Sequence, residues 1–182
     1  MSITDADREE FLRDDFYNAL RYLFEGAIAW DAWKQSENDA FWHQGALGMY
    51  TTFMEARALY DFFHKRKTPN DGDNARADHF VLRWEGSKSD VYLRYMAQRK
   101  PVNKRMFHLI YARRAHSGET ATAGPLKEQV LNVARDLCEL SREFAKHIKD
   151  SMLQDVARTA LKSALCEAKK AANHYGIANP LA

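Results

Sequence analysis

The sequence predicts an all-α protein, a single-domain bundle of five to six helices. Apolar residues recur at steps of three and four along most of the chain, which is the spacing of one helix face. Only four prolines and eight glycines occur among 182 residues, which favours long helices over many short strands. A chain of this length is expected to form one domain, and its 46% hydrophobic residues suffice for a core.

Two long helices are predicted in the first half of the chain. The first begins at the capping pattern of residues 4–7 and continues to about Lys34. The second follows the start signal at 36–39 and ends in the basic residues 65–67, whose charge complements the helix dipole. The segment 73–86 fits either a short helix or an extended stretch.

Four more helices are predicted in the second half. Two shorter ones are expected at about 89–99 and, opened by a proline, at 101–115. A long helix follows at about 125–148, and an alanine-rich helix extends from 151 to a stop at Gly176. The small side chains of the last helix predict close packing against a neighbour.

The whole chain, residues 1–182, is expected to be one helical domain with flexible ends at 1–4 and 176–182. The beginning of the sequence is acidic and has no basic, apolar leader, and no stretch approaches 18 uncharged apolar residues. Cys138 and Cys166 give no disulfide framework. These features predict a cytoplasmic protein with reduced thiols and no membrane partner.

The charge is unevenly distributed, although the net charge is only +2. From Arg94 to Arg114 there are seven Arg and Lys side chains and no acidic residue. Such a segment suits binding to the phosphates of a nucleic acid. The candidate nucleic-acid contacts are Arg99, Lys100, Asn103, Lys104, Arg105 and Arg113. The alternative is a solvated helix face that pairs with acidic neighbours.

The second predicted helix contains the most specific polar pattern. Arg57, Asp61 and His64 lie within two turns, so the Asp61 carboxylate can reach both other side chains. His64 can transfer a proton near neutral pH, Asp61 can orient its ring, and Arg57 can bind a phosphate. The alternative is an ordinary Arg57–Asp61 ion pair, with His64 as a cation at the helix end.

A further candidate, His108, lies in the basic segment. Lys104 and Arg105 share its helix face, which fits a phosphate-binding or acid–base histidine. The alternative is a partly buried histidine that binds a backbone carbonyl. Since the helices that contain Arg57, Asp61 and His108 are expected to pack together, we expect these three side chains to lie close to one another.

The sequence contains none of the usual cofactor motifs. There is no Glu-x-x-His, His-x-x-x-His or Cys-x-x-Cys spacing for a metal ion. There is also no glycine-rich phosphate loop and no dinucleotide fingerprint. We therefore expect neither a metal nor a cofactor.

The segment from Arg57 to His64 resembles the motif of the higher-eukaryote and prokaryote nucleotide-binding (HEPN) superfamily, an Arg and a His on one helix with four to six residues between them. Members are small all-α bundles, often dimeric. Many are ribonucleases of bacterial toxin or defence systems, and others are inactive RNA-binding or partner-binding modules. The resemblance covers residues 38–115. Ala58 stands where the family usually has a polar residue, and the motif lies earlier in the chain than is usual.

Two sequence blocks also resemble a group of small bacterial helical proteins of unassigned function. These blocks are Arg-x-Leu-x-Asp-Phe-Phe, beginning at Arg57, and Asn-Lys-x-x-x-His-Leu, beginning at Asn103. That resemblance implies that five residues act as one set without His64: Arg57, Asp61, Asn103, Lys104 and His108. The site would then lie between two facing helices, with Arg57 and Asp61 opposite His108.

Two functions follow from these patterns. The first is an RNA-directed protein, a HEPN-like ribonuclease that needs no metal. Its candidate catalytic residues are Arg57, which would stabilise the phosphate charge, His64 or His108 as the acid–base residue, and Asp61, which would orient the histidine. The alternative is a non-catalytic helical module that binds another protein or forms a homodimer. In the alternative, the Arg57–Asp61 pair and His108 would form a buried polar network that fixes the helix register.

Overall fold

The computed structural model of the protein describes four stretches of the chain: residues 3–36, 42–65, 75–97 and 129–181. Within these stretches the chain is helical and contains no strand, and the helices pack into one bundle. The predicted all-α fold class is therefore confirmed. The helix predicted at 101–115 lies outside the described residues. In the parts described, no helix has the length and apolarity needed to cross a lipid bilayer.

The first predicted helix is continuous and contains one π-helical turn. Helix α1 spans Asp5–Phe11, the π-helical turn spans Leu12–Phe16, and α2 spans Tyr17–Ser36. The predicted start is confirmed, because the Thr4 hydroxyl accepts from the Asp7 N–H and the Asp7 carboxylate accepts from the Thr4 N–H at 2.8 Å. Apolar periodicity did not reveal the π turn, since one wider turn displaces the pattern only slightly.

Helix α3, Trp42–His64, packs along α2 with their backbones in close contact. A Cβ atom built on Gly48 would lie 2.5 Å from the Gly26 carbonyl oxygen, and one on Gly26 would lie 2.6 Å from the Gly48 oxygen. The buried Thr52 hydroxyl donates to the Gly48 carbonyl at 2.8 Å. Only glycine fits at this crossing, so the two glycines fix where α2 and α3 meet.

The next described segment after α3 begins at residue 75, contains a 3-10 turn at Ala77–His79, and is irregular from there to Ser89. The next helix, α4, covers residues 90–97. Its predicted start is confirmed, because the Ser89 hydroxyl accepts a hydrogen bond from the Tyr92 N–H at 3.0 Å.

Two long helices follow in the described part of the chain, α5 at Val130–His147 and α6 at Ser151–Tyr175. The N-cap of α6 is Asp150, one residue before the predicted start, and its carboxylate accepts from the Leu153 N–H at 3.0 Å. The predicted stop at Gly176 is confirmed by its φ of 69°, the left-handed conformation that glycine adopts without strain.

The residues after α6 pack back onto the bundle. Leu181 is buried, and the Pro180 carbonyl accepts a hydrogen bond from Arg135 Nε at 3.0 Å. The segment that was expected to be a flexible end thus contacts α5 through the Pro180 carbonyl.

The alanine-rich face of α6 packs against α2, as its small side chains predicted. Its buried alanines are Ala157, Ala160, Ala164, Ala168 and Ala172. Elsewhere in the core, Phe144 of α5 joins the N-terminal segment to the end of α3. Its ring centroid lies 5.7 Å from Phe16, 5.3 Å from Phe62 and 5.6 Å from Phe63. Such ring contacts stabilise a core beyond the area they bury.

Substitution of Gly48 by Ala is expected to lower the free energy of unfolding by about 1–3 kcal/mol, because the added methyl group would push α2 and α3 apart. Urea denaturation measures this loss. Gln44→Ala, an exposed change one turn earlier on the same helix, should stay within about 0.5 kcal/mol of wild type. Equal stability of Gly48→Ala and wild type would contradict the close α2–α3 crossing.

Candidate functional site

The sequence-predicted site residues fall into two groups. Arg57, Asp61 and His64 lie on α3 and are described. The remaining candidates lie outside the described residues: Arg99, Lys100, Asn103, Lys104, Arg105, His108 and Arg113. The expected proximity of Arg57, Asp61 and His108 therefore stays a prediction.

Arg57 is exposed, and Asp61, one turn later, is partly buried. Asp61 lines a cavity of about 410 Å³ between the N-terminal helix and α3. Glu55 and the buried Arg76 line the same cavity, and burial raises the pKa of the Glu55 carboxyl group. The exposure of Arg57 does not fit the buried polar network that the sequence left open as an alternative.

His64 lies against α4 instead. Its ring centroid is 4.1 Å from that of Tyr92 and 6.2 Å from that of Tyr60. The side chain is partly buried, and its Nε2 atom is buried with no hydrogen-bond partner among the described residues. A buried polar atom without a partner costs about 1–3 kcal/mol, so a role in ligand binding or catalysis is one explanation for keeping it.

The surroundings of His64 favour its neutral form. Burial lowers the pKa of the His64 imidazole, and the positive charge of Lys88 lowers it further. Asp136 and Glu143 of α5 act in the opposite direction without reversing the shift. The imidazole is therefore neutral at pH 7, with a nitrogen that can accept a proton.

A cavity of about 770 Å³ adjoins His64 at the end of α3. Its lining includes the cationic side chains of Lys65, Arg83 and Lys88. Arg83 has a φ of 58°, a left-handed backbone conformation that is uncommon outside glycine and is found often at functional sites. Trp84 also lines the cavity, and its indole N–H donates to the Phe63 carbonyl at 2.9 Å, which caps the end of α3.

Sequence reasoning missed the hydrogen bond between α3 and α5 that lies beside His64. The Tyr60 hydroxyl donates to the Asp136 carboxylate at 2.6 Å. Burial and the negative charge of Asp136 raise the pKa of Tyr60 far above its usual value, so it stays protonated. The two residues are 76 positions apart, and no local spacing in the sequence marks such a pair.

A second polar cluster, Arg76 with Asp78 and His79, was also missed as a unit. Arg76 is 5% exposed; its Nε donates to Asp78 Oδ1 at 3.0 Å, and its Nη2 lies 2.7 Å from His79 Nε2. The signal that could have found it is the short spacing of an Arg, an Asp and a His around the 3-10 turn. No group of three or more His, Cys, Asp and Glu side chains that could hold a metal occurs in the described ranges.

Comparison of the chain with protein-family models, with curated protein sequences and with solved structures finds no match.

The pKa of His64 predicts a pH dependence of stability. In the unfolded chain, His64 has its usual pKa of 6.5 and binds a proton below that pH, whereas the lowered pKa in the folded protein keeps the imidazole neutral. The free energy of unfolding therefore falls as the pH decreases through 6.5. Above pH 6.5 this contribution is fully present. When the pH is lowered from 7.5 to 5.5, the free energy of unfolding measured by urea denaturation should fall less for His64→Gln than for wild type. His43→Gln, at an exposed position of α3, should behave like wild type.

Proposed function

We propose that the protein is RNA-directed and cleaves the RNA backbone without a metal, as a HEPN-like ribonuclease, with His64 as its proton acceptor. The observation that carries the proposal is the neutral, partly buried imidazole next to a cavity lined by Lys65, Arg83 and Lys88. A neutral histidine beside cationic side chains suits phosphoryl transfer, since one group takes a proton while the others stabilise the phosphate charge.

In the proposed reaction, the His64 imidazole takes the proton of the RNA 2′-hydroxyl group. The 2′-oxygen forms a bond to phosphorus, and the bond from phosphorus to the 5′-oxygen breaks. The leaving 5′-oxygen takes a proton from a second acid, for which His108 is the candidate. The products are a 2′,3′-cyclic phosphate and a 5′-hydroxyl end, and no outside reactant is consumed.

The proposal also gives roles to the other candidate residues, relative to His64. Arg57 precedes His64 by two turns, about 10 Å along the helix axis, and its exposed side chain would bind a neighbouring phosphate. The basic segment from Arg99 to Arg113 would hold the backbone further along. Asp61 lines the cavity of about 410 Å³ beside the N-terminal helix, so we do not assign it the orientation of the His64 ring.

RNA cleavage in the presence of EDTA tests the proposal. His64→Ala is expected to lower the rate by about 100-fold or more, because a general base contributes that much. Arg57→Ala should keep its fold, since the side chain is exposed, and should also lose activity. His108→Ala tests the second acid. The control is His43→Ala, an exposed histidine on the same helix, which should cleave RNA like wild type.

Circular dichroism of each variant shows whether a loss of cleavage reflects lost folding. A wild-type protein that cleaves no RNA, or a folded His64→Ala variant as active as wild type, would overturn the proposal.

A second candidate function, self-association, is favoured by the outer face of α3. Leu47 is 67% exposed and Met54 is 52% exposed, and Ala58 is exposed as well. With Thr51 these residues follow the 4-3-4 spacing of a coiled-coil seam. In an antiparallel pair of α3 helices the large Leu47 would face the small Ala58 of a second copy. The seam is therefore complementary to itself, as a two-fold dimer requires.

Sedimentation velocity tests this candidate. If the seam of α3 forms the interface, wild type should sediment as a dimer and Met54→Glu as a monomer, because the substitution places a charge in an apolar contact. Met152→Glu is the matched control, since Met152 is similarly exposed, at 50%, on α6. A wild-type monomer at every concentration tested would reject the candidate, and so would a dimer that both variants retain.

A further inference from the structure

A hydrogen bond connects α5 to the aromatic side chains around His64. Tyr60 is 2% exposed, and its hydroxyl donates to Asp136 Oδ2 at 2.6 Å. A short bond to an ionised acceptor is stronger than one between neutral groups. The bond, together with the burial of the ring, fixes the orientation of Tyr60.

The Tyr60 ring belongs to a group of aromatic rings that includes the His64 imidazole, Tyr92 and Tyr95, and the Tyr95 centroid lies 5.0 Å from that of Tyr60. The centroid of Tyr60 lies 5.1 Å from that of Tyr92, and Tyr92 lies 4.1 Å from His64. The planes of Tyr60 and His64 are 25° apart, with centroids 6.2 Å apart. The imidazole therefore has an aromatic neighbour from its own helix and another from α4, and its plane depends on where those two tyrosines are held.

Charged groups act on His64 from several elements. From α5, Asp136 and Glu143 favour the protonated imidazole, and Lys88, just before α4, opposes it. The adjoining cavity is lined by further charged side chains: Lys65, Asp78, Arg83 and Glu85. The two carboxylates of α5 differ in their hydrogen bonds. Asp136 accepts from Tyr60, an aromatic neighbour of His64, whereas Glu143 accepts from the Ser87 hydroxyl at 3.2 Å.

We infer that Asp136 is a positioning residue for His64: its carboxylate holds the Tyr60 ring, and Tyr60 together with Tyr92 holds the plane of the imidazole. Asp136 thus takes the role of orienting carboxylate that the sequence suggested for Asp61. The inference rests on the proposed function only for the role of the oriented imidazole as proton acceptor. The link from Asp136 through Tyr60 to His64 can be measured without any reaction.

The first part of the test follows the titration of the His64 ring by NMR in Asp136→Asn, with His64→Gln used to assign the signal. The titration midpoint is expected to move to lower pH, because a negative charge that favours the imidazolium is lost. Glu139→Gln is the matched control, since Glu139 makes the same charge change on an exposed position of the same helix. It should leave the midpoint where it is.

The second part separates positioning from charge. Tyr60→Phe keeps the Asp136 carboxylate and removes only the hydroxyl that links it to the ring group. Weaker nuclear Overhauser contacts between His64 and Tyr92 are expected in this variant. In RNA cleavage, kcat is expected to fall about tenfold with KM unchanged, because a displaced base acts on a substrate that still binds.

An Asp136→Asn midpoint equal to that of Glu139→Gln, or unchanged His64–Tyr92 contacts in Tyr60→Phe, would overturn the inference. Failure of the proposed function looks different: the wild-type protein would cleave no RNA, while the NMR shifts in the Asp136 and Tyr60 variants would still appear.

Discussion

The crossing of α2 and α3 at Gly26 and Gly48 is the constraint on which the rest of the site depends. Because the two backbones touch there, α3 has one allowed rotation about its axis. Successive residues of a helix turn by about 100°, so this rotation decides where every other side chain of α3 lies. It directs Tyr60 and His64 toward α4, leaves Arg57 at the surface and places Asp61 beside the N-terminal cavity.

The chemical character of His64 is a consequence of that placement. On the outer face of α3 the imidazole would be solvated, with an ordinary pKa. Packed against Tyr92 and close to Lys88, it loses water and meets a positive charge, and both effects lower the pKa of the ring. The carboxylates of α5 limit the shift. The core packing of α3 and the electrostatics of α4 and α5 thus together keep the imidazole neutral at pH 7.

The sequence predicted the helices well because their signals are local. The Thr4 capping box, the Ser89 cap and the left-handed Gly176 each depend on a few neighbouring residues, and each was confirmed. The site was predicted only in part. Helical spacing put Asp61 near His64 along α3, but a difference of three residues was enough to place them at different cavities. The contact of Tyr60 with Asp136 depends on how α3 and α5 pack, which no local pattern reveals.

The two candidate functions use different sides of one helix and therefore do not exclude each other. His64 lies on the side of α3 that packs against α4, whereas Leu47 and Met54 lie on its exposed side. Arg57 lies between these two sides, because at about 100° per residue it is rotated about 20° from His64 and about 60° from Met54 around the helix axis. If two copies pair through the exposed side, Arg57 of each copy would lie at the edge of the interface. Association would then reduce the rotamer freedom of Arg57, and the phosphate contact proposed for it would become more favourable in the dimer.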